Sequence, residues 1–342
     1  MAEPTTTTTA PAGSVIHISR AGPGIAGAFL RVVLGLVLLA SLGLNVFLLF
    51  ALMTLHMVKN GLPSGHGITQ TVIRTGGADK IAVIPIDGTI DGATATEVQK
   101  DVRLIRRSPD IRAVVLRVDS PGGGVSNADE IYHALVGLKA INKPVVVSMG
   151  AMAASGAYYI SMAGQQLFAE PTTVTGSIGV MLPGFEITSL LKKIGVKPEV
   201  LTSTPAVWKE AGAPWSTYTP AVKSYLIDLL NSDDARFEAV IQKSRGTRLD
   251  EPVANIANGK VWTAQKALEK GLVDHIGYES AAIHAAAKLA DIYHPTVVEL
   301  APNQGLLSLI KVQSPVSGMK MELSPRLITQ VLSPKFEYLY VP

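Results

Sequence analysis

The chain has 342 residues, 47% hydrophobic and 17% charged, enough to bury a sizeable core as one large domain or two small ones. A formal charge of +3, with no basic cluster interleaved with aromatics, argues against nucleic acid as a partner. The absence of cysteine excludes disulfides, thiol catalysis and cysteine-ligated zinc, and leaves the redox compartment open.

In chain order, residues 1–30 form a Thr/Ala/Pro/Gly leader too poor in apolar groups to fold, and disorder is predicted there. Residues 31–56 predict a transmembrane anchor. Val32 to Leu55 is a run of 24 residues without a charge. At ~1.5 Å per residue a helix of that length reaches about 36 Å, enough to cross a ~30 Å hydrocarbon core. A cleaved signal peptide has an apolar region of only ~7–15 residues and a small-x-small cleavage site, which "MTLHMVK" does not supply. Arg20 and Arg31 before the span balance Lys59 and Arg74 after it, so charge alone does not orient it. Residues 57–79, with Gly, Pro and polar side chains, read as a linker.

Residues 80–300 alternate between apolar runs and helical spacings. "KIAVIPIDG" predicts a strand, and "TATEVQKDVRLIRRS" a helix with Val98, Val102 and Ile105 on one face. "IRAVVLRVDSPGGG" predicts a strand and a loop, and "SNADEIYHALVGLKA" a helix capped by Ser126. "KPVVVSMG" predicts a strand, "SGAYYISMAG" a helix and "QQLFAEP" another strand. "ITSLLKKIGVKPEVLTS" predicts helix then strand, and a long helix lies within "TPAVKSYLIDLLNSDDARFEAVIQKSR". Continuous apolar strands alternating with helices predict a mainly parallel α/β sheet covered on both faces. Residues 301–342 form a tail to which the sequence assigns no role.

Parallel α/β sheets carry their working residues on loops at strand C-termini. "DSPGGG" (Asp119 to Gly124) puts three consecutive glycines after a strand, where bare backbone N–H groups are able to face a developing negative charge. It lacks both the P-loop and the dinucleotide glycine spacings. The second loop holds Ser155 where a strand ends and a helix begins. Two roles fit it: a helix cap, or a nucleophile facing a base with the Gly156 N–H nearby. A histidine base is poorly placed, since His133 lies in a helical pattern and His275 in a turn-like segment. A lysine base must be neutral. Lowering an amine from about 10.4 to ~7–8 takes on the order of 4 kcal/mol of desolvation or charge repulsion. Lys209 in "PAVWKEAGAPW" has the apolar neighbours for this, although Glu210 adjoins it. Lys192 and Lys193 read as a helix surface; Lys143 and Lys197 precede prolines at strand starts, where solvated charges are expected.

Four stretches in order resemble the signal peptide peptidase A (protease IV) family: "DSPGGGV" (119–125), "GAMAASGAYYISMAG" (150–164), "TVTGSIGVM" (173–181) and "IANGKVWTAQKALEKGLVDHIG" (256–277). The resemblance implies a Clp protease/crotonase-like spiral of β/β/α units, preceded by one transmembrane helix. It implies a membrane-anchored serine endopeptidase with Ser155 as nucleophile, Lys209 as general base and Ser177 orienting the lysine. Backbone N–H groups of Gly122 or Gly123 and of Gly156 are the implied oxyanion donors. No metal or cofactor is implied. The implied substrates are short hydrophobic peptides such as signal-peptide remnants. The implied partner is the chain itself, in a ring such as an octamer, whose active sites are shared between subunits. The resemblance also places the catalytic domain on the extracytoplasmic side of a bacterial inner membrane. Ala157 stands where many relatives have glycine, and the segment around Lys209 matches least well. Two other readings remain: a crotonase-like acyl-CoA hydratase or thioesterase, and a catalytically inactive membrane scaffold. The motif "GLVDHIG" reads as structural.

Overall fold

The computed structural model describes residues 33–49, 68–302 and 337–339. The chain divides into two units, Met1–Ser64 and Gly65–Pro342. In the first, residues 33–49 form helix α1, whose leucines are exposed, from Leu48 at 48% to Leu49 at 68%. Among the described residues no helix is long and apolar enough to cross a membrane. The rest of the expected anchor, the predicted leader, residues 57–67 of the expected linker and most of the tail lie outside the described residues.

The second unit begins with β1 (Ile68–Arg74), β2 (Lys80–Asp87), α2 (Gly92–Arg107), β3 (Ile111–Ser120), β4 (Gly122–Gly124) and α3 (Val125–Lys139). There follow β5 (Val145–Ala154), α4 (Gly156–Ser161), β6 (Gln166–Ala169), β7 (Val174–Gly176), α5 (Thr188–Lys193) and α6 (Pro220–Arg245). The unit closes with α7 (Val253–Ile256), β8 (Val261–Thr263), α8 (Ala264–Glu269), β9 (His275–Ile276), α9 (Glu279–Leu289), β10 (Thr296–Pro302) and β11 (Glu337–Leu339).

The main sheet runs β1-β10-β2-β3-β5-β6-β9, and β7 pairs with β5 and β8. β10, β2, β3, β5, β6 and β9 are parallel neighbours; the apolar runs of β2, β3, β5 and β6 predict this, whereas β9 and β10 have no counterpart among the predicted strands, and each central strand sends alternate side chains to opposite faces. Ala82, Ile84, Val114, Leu116, Val145 and Val147 pack on one face with α2 and α3; Ile81, Val83, Val115 and Val146 pack on the other with α9.

Several local expectations change. Residues 68–74, predicted as linker, form β1, an antiparallel edge strand on β10 that exposes six of its seven residues. Domain-type structure therefore starts earlier than residue 80, and β10 carries it to Pro302. The strand predicted after α5 is absent; residues 196–203 carry no regular structure and are exposed. α3 is entered from Gly124, so Ser126 lies inside the first turn and caps nothing. Lys143, expected to be a solvated charge, is only 9% exposed. Its Nζ donates to the carbonyls of Ile105 (2.5 Å) and Ser108 (2.6 Å) at the C-terminus of α2, where a cation suits the helix dipole. Burial pulls its ammonium below the ordinary lysine range.

Candidate active site

Three segments end side by side at the C-terminal edge of the parallel strands. On β5, Ala153 pairs with Ser120 of β3 and Ala154 pairs with Gly176 of β7. The residues that follow, Gly122, Ser155 and Ser177, are thus set at one end of the sheet by strand register alone. Between Met149 and Ala153, β5 makes a bulge relative to β3. The Asp119 carboxylate accepts its freed N–H groups, from Ala151 at 3.3 Å and Met152 at 3.1 Å.

Ser155 is 1% exposed and adopts φ 56° and ψ −116°, a left-handed conformation costly for a residue with a Cβ. A capping serine has extended backbone and an oxygen bonded to a first-turn N–H; Ser155 has neither. The cap reading fails on geometry. Its backbone is pinned on both sides, the N–H to the Gly176 carbonyl (2.7 Å) and the carbonyl to the Tyr159 N–H (2.9 Å). Among the described residues the Gly156 N–H, first in α4, has no hydrogen-bond acceptor.

α4 is itself held rigidly. Tyr158, fully buried, donates its hydroxyl to the Leu272 carbonyl at 2.8 Å, and Tyr159 donates to Asp129 at 2.6 Å. Arg236 of α6 closes on the same Asp129 oxygen through Nε (3.0 Å) and Nη2 (2.6 Å). The "GLVDHIG" turn is structural, as read. Asp274 takes a two-pronged ion pair from Arg245, both bonds at 2.9 Å, and a hydrogen bond from the Leu167 N–H at 2.8 Å. Burial pushes the Asp274 carboxyl up, but the Arg245 hydrogen bonds and charge outweigh it and hold it below the usual carboxylate range. The His275 ring lies against Phe168, centroids 4.6 Å apart, on a strand two removed from β5.

The glycines of β4 answer to separate constraints. Gly122 has φ 102°, and its N–H donates to Ser120 Oγ at 3.1 Å. Any Cβ on Gly123 would come 2.0 Å from the Ile90 carbonyl oxygen. Ile90 takes up the Gly122 carbonyl (2.8 Å) and the Gly124 N–H (2.9 Å). Strand alternation then turns the Gly123 N–H to the opposite edge. On that edge lies β11, antiparallel, with Tyr338 opposite Gly123 and Leu339 opposite Gly122. Of the two glycine donors expected from sequence, the Gly122 N–H is engaged within the loop, and the Gly123 N–H faces the edge that receives an extended chain.

Ser177 is 7% exposed at φ 51°, and its N–H donates to the Lys260 carbonyl at 2.7 Å. Beside it, a Cβ on Gly176 would meet Trp262 Cδ1 at 2.6 Å, so the indole packs on the backbone between the two serines. Trp262 Nε1 is buried and has no hydrogen-bond partner among the described residues, and Lys270 stacks 4.9 Å from its ring centroid. From sequence, "GKVWTAQ" reads only as part of a motif. The signal for Trp262 is the one bulky aromatic in that stretch, which pairs with the strand that leads into Ser177.

Lys209 stands apart. It lies in a turn of the exposed segment between β7 and α6, its N–H bonded to the Ala206 carbonyl at 3.2 Å. Val207 and Trp208, expected to keep it dry, are 76% and 48% exposed. Among the described residues its amine makes no hydrogen bond or ion pair, with Glu210 or with Ser155. One chain sets Ser155, Ser177 and the glycines of β4 at one end of the sheet and leaves Lys209 in solvent. No group of His, Asp or Glu able to hold a metal ion occurs among the described residues.

The sequence model of peptidase family S49 matches residues 137–293, and that of the Clp protease family matches residues 72–174. A Synechocystis sp. protein carrying a protease name is 37% identical over 227 residues, covering 66% of this chain and 80% of that one. "Protease 4" of Haemophilus influenzae is 33% identical over 294 residues, covering 77% of this chain and 46% of its own length. "Serine protease SPPA, chloroplastic" of Arabidopsis thaliana is 32% identical over 265 residues, covering 73% of this chain and 39% of its own. The chain thus spans less than half the length of the last two relatives. The Clp match spans β1 to β7, the part of the sheet that carries Ser155.

Proposed function

Because the chain belongs to peptidase family S49 and has a Clp protease-like α/β fold, we propose that it is a serine endopeptidase in which Ser155 is the nucleophile. The observation that carries this is the strained, buried, uncapped Ser155 at the sheet edge shared with Ser177 and the glycine strand. Strain of this kind persists where the surroundings over-determine it, and here the Gly176 carbonyl and α4 do so.

In the proposed reaction a neutral Lys209 amine takes the proton from Ser155 Oγ as the oxygen attacks a scissile carbonyl. With β11 displaced from the β4 edge by substrate, the N–H groups of Gly123 and Gly156 hold the oxyanion. The tetrahedral adduct collapses to an acyl-enzyme as the lysine returns the proton to the leaving amine. A water deprotonated by the same lysine then releases the acyl group. Ser177 orients the amine. The exposure of Lys209 in one chain supports a base supplied by a neighbouring subunit. The surrounding segment is unusually apolar for a free surface, with Phe185 69%, Ile194 62% and Leu201 91% exposed. A second copy covering that segment would strip water from the amine and complete the site, which favours a ring assembly over a monomer.

The substrate reading follows from β4. It pairs antiparallel with residues 337–339, which supports extended peptides adding to the same edge through backbone hydrogen bonds. Short hydrophobic segments such as signal-peptide remnants fit that mode. The uncharged run from Val32 to Leu55 supports a membrane anchor that keeps the enzyme near such substrates; the family resemblance alone supports placing the catalytic unit outside the cytoplasm. The test is acylation by a fluorophosphonate, with the modified residue mapped by mass spectrometry. Stoichiometric label on Ser155, lost in Ser155→Ala, is the expected result. Turnover of acyl-CoA without peptide cleavage would favour the thioesterase reading, and neither activity nor labelling would leave the scaffold.

A further inference from the structure

At the end of the sheet opposite Ser155, a cavity of about 460 Å³ opens where β1 ends, β10 begins and α9 gives way to its connecting turn. Its wall carries four basic groups, Arg74, His284, Lys288 and His294, and one carboxylate, Asp291. Arg74 and Lys288 make no ion pair among the described residues, whereas Arg117, Arg236 and Arg245 elsewhere are matched to carboxylates. With both imidazoles neutral, Arg74 and Lys288 against Asp291 leave a net charge of +1, and each protonated imidazole adds another. Ile283, Ala287, Ile292 and Pro295 supply apolar lining.

The cavity wall is built, not draped. The Gly77 N–H donates to the His294 carbonyl at 2.6 Å, and Thr296 Oγ1 bridges the Gly76 N–H (3.0 Å) and the Gly77 carbonyl (2.8 Å). The two turns press so closely that a Cβ on Gly76 would fall 2.4 Å from the His294 carbonyl oxygen. Asp291 and His294 both hold positive φ, 53° and 51°, an uncommon conformation for residues with side chains. The His284 Nδ1 lies 2.6 Å from the Ser280 carbonyl, so it carries the proton of that bond and Nε2 is left free. The negative end of α9 does not spoil the site. Its last carbonyls are taken by the N–H groups of Ala290 (3.1 Å), Asp291 (3.3 Å) and Ile292 (2.9 Å).

We propose that this cavity binds a phosphate ester with an apolar substituent, the anion held by Arg74 and Lys288 and the substituent lying on Ile283 and Ile292. An oxygen-rich tetrahedral anion is what a guanidinium and an ammonium at one opening suit best. A divalent cation is disfavoured, since no metal-holding group of His, Asp or Glu forms here among the described residues. An anionic phospholipid headgroup and a soluble phosphate ester share this chemistry.

The test is calorimetric titration of the full chain in non-ionic micelles with phenyl phosphate, dihexanoyl phosphatidylglycerol and, as zwitterionic control, dihexanoyl phosphatidylcholine. Binding of phenyl phosphate supports a soluble ester, and binding of the phosphatidylglycerol alone supports a lipid headgroup. In either case Arg74→Gln with Lys288→Gln should weaken binding more than tenfold, at about fivefold per charge. Asp291→Asn should tighten it about fivefold; asparagine tolerates the left-handed backbone at this position, so the gain is readable without loss of fold. Hydrolysis of a chromogenic ester at Ser155 should be unchanged in both variants. Absence of binding by both anions, or affinities indifferent to these substitutions, would overturn the proposal.

Discussion

The two serines and the proposed base lie in regions built by opposite rules. Ser155 and Ser177 are buried, at left-handed φ, and tied by backbone hydrogen bonds to neighbouring strands and to α4. Residues 183–219 contain one six-residue helix, and their large apolar side chains face solvent. The difference teaches where preorganisation ends. Nucleophile and oxyanion donors need exact backbone placement, which a sheet edge supplies within one chain. A lysine base needs dehydration above all, and a second copy can supply it by covering a loop.

The largest effects should come from substitutions that test this division. Ser155→Ala and Lys209→Met should each lower kcat/KM for a peptide ester by at least about 10³-fold with the fold intact by circular dichroism. Mixing the two inactive chains sharpens the comparison. If each site takes its serine from one subunit and its lysine from the next, random co-assembly should restore about a quarter of wild-type activity. No recovery after verified co-assembly would place both groups in the same chain and break it.

Next in size is the rigid side. Gly123→Ala puts a methyl 2.0 Å from the Ile90 carbonyl oxygen, so β4 must shift. A loss of about 10²-fold in acylation rate is expected, in line with losing one oxyanion donor. The exposed side should answer differently. Leu201→Asp, at a residue 91% exposed, should change the thermal stability of the isolated chain by less than about 0.5 kcal/mol. It should instead lower the assembled fraction in analytical ultracentrifugation, and activity with it. A large loss of chain stability with assembly unchanged would show that the segment packs at home.

How much was legible in the sequence follows the same line. The central strands were readable because burial on both faces leaves an unbroken apolar run, as in "IRAVVLRV" and "KPVVVSMG". The glycine loop and Ser155 were readable because strand ends and glycine runs carry local signatures. β1 was missed because an exposed edge strand has no apolar alternation; "ITQTVIR" half-buries only Ile68. β7 and β8, three residues each, are too short to show a period. "VKPEVLTS" has strand-forming residues but no neighbour to pair with, and propensity alone does not make a strand. Lys143 was misread because its partners, the last carbonyls of α2, lie more than thirty residues away. The apolar neighbours of Lys209 were read correctly as residues, but one chain does not turn them inward.

The smallest expected effect concerns pH and the rigid side alone. Asp101 on α2 is 8% exposed, and its carboxyl is pushed up to about 7, chiefly by burial and then by the Glu97 charge. Between the ordinary carboxylate range and about 7 the folded chain holds a proton that the unfolded chain has released. Stability from this group is therefore complete below about pH 4 and is lost as pH rises through about 7. Asp101→Asn carries no charge to bury. Its melting temperature should match the wild type near pH 4, diverge upward as pH rises, and hold a constant gap above pH 7. A lysine base works better in alkaline solution while the scaffold that positions its serine weakens there, so the same substitution should extend the alkaline limb of the activity profile. An unchanged melting curve across pH 4 to 9 would show that water reaches Asp101 freely and that the rigid half carries no such penalty.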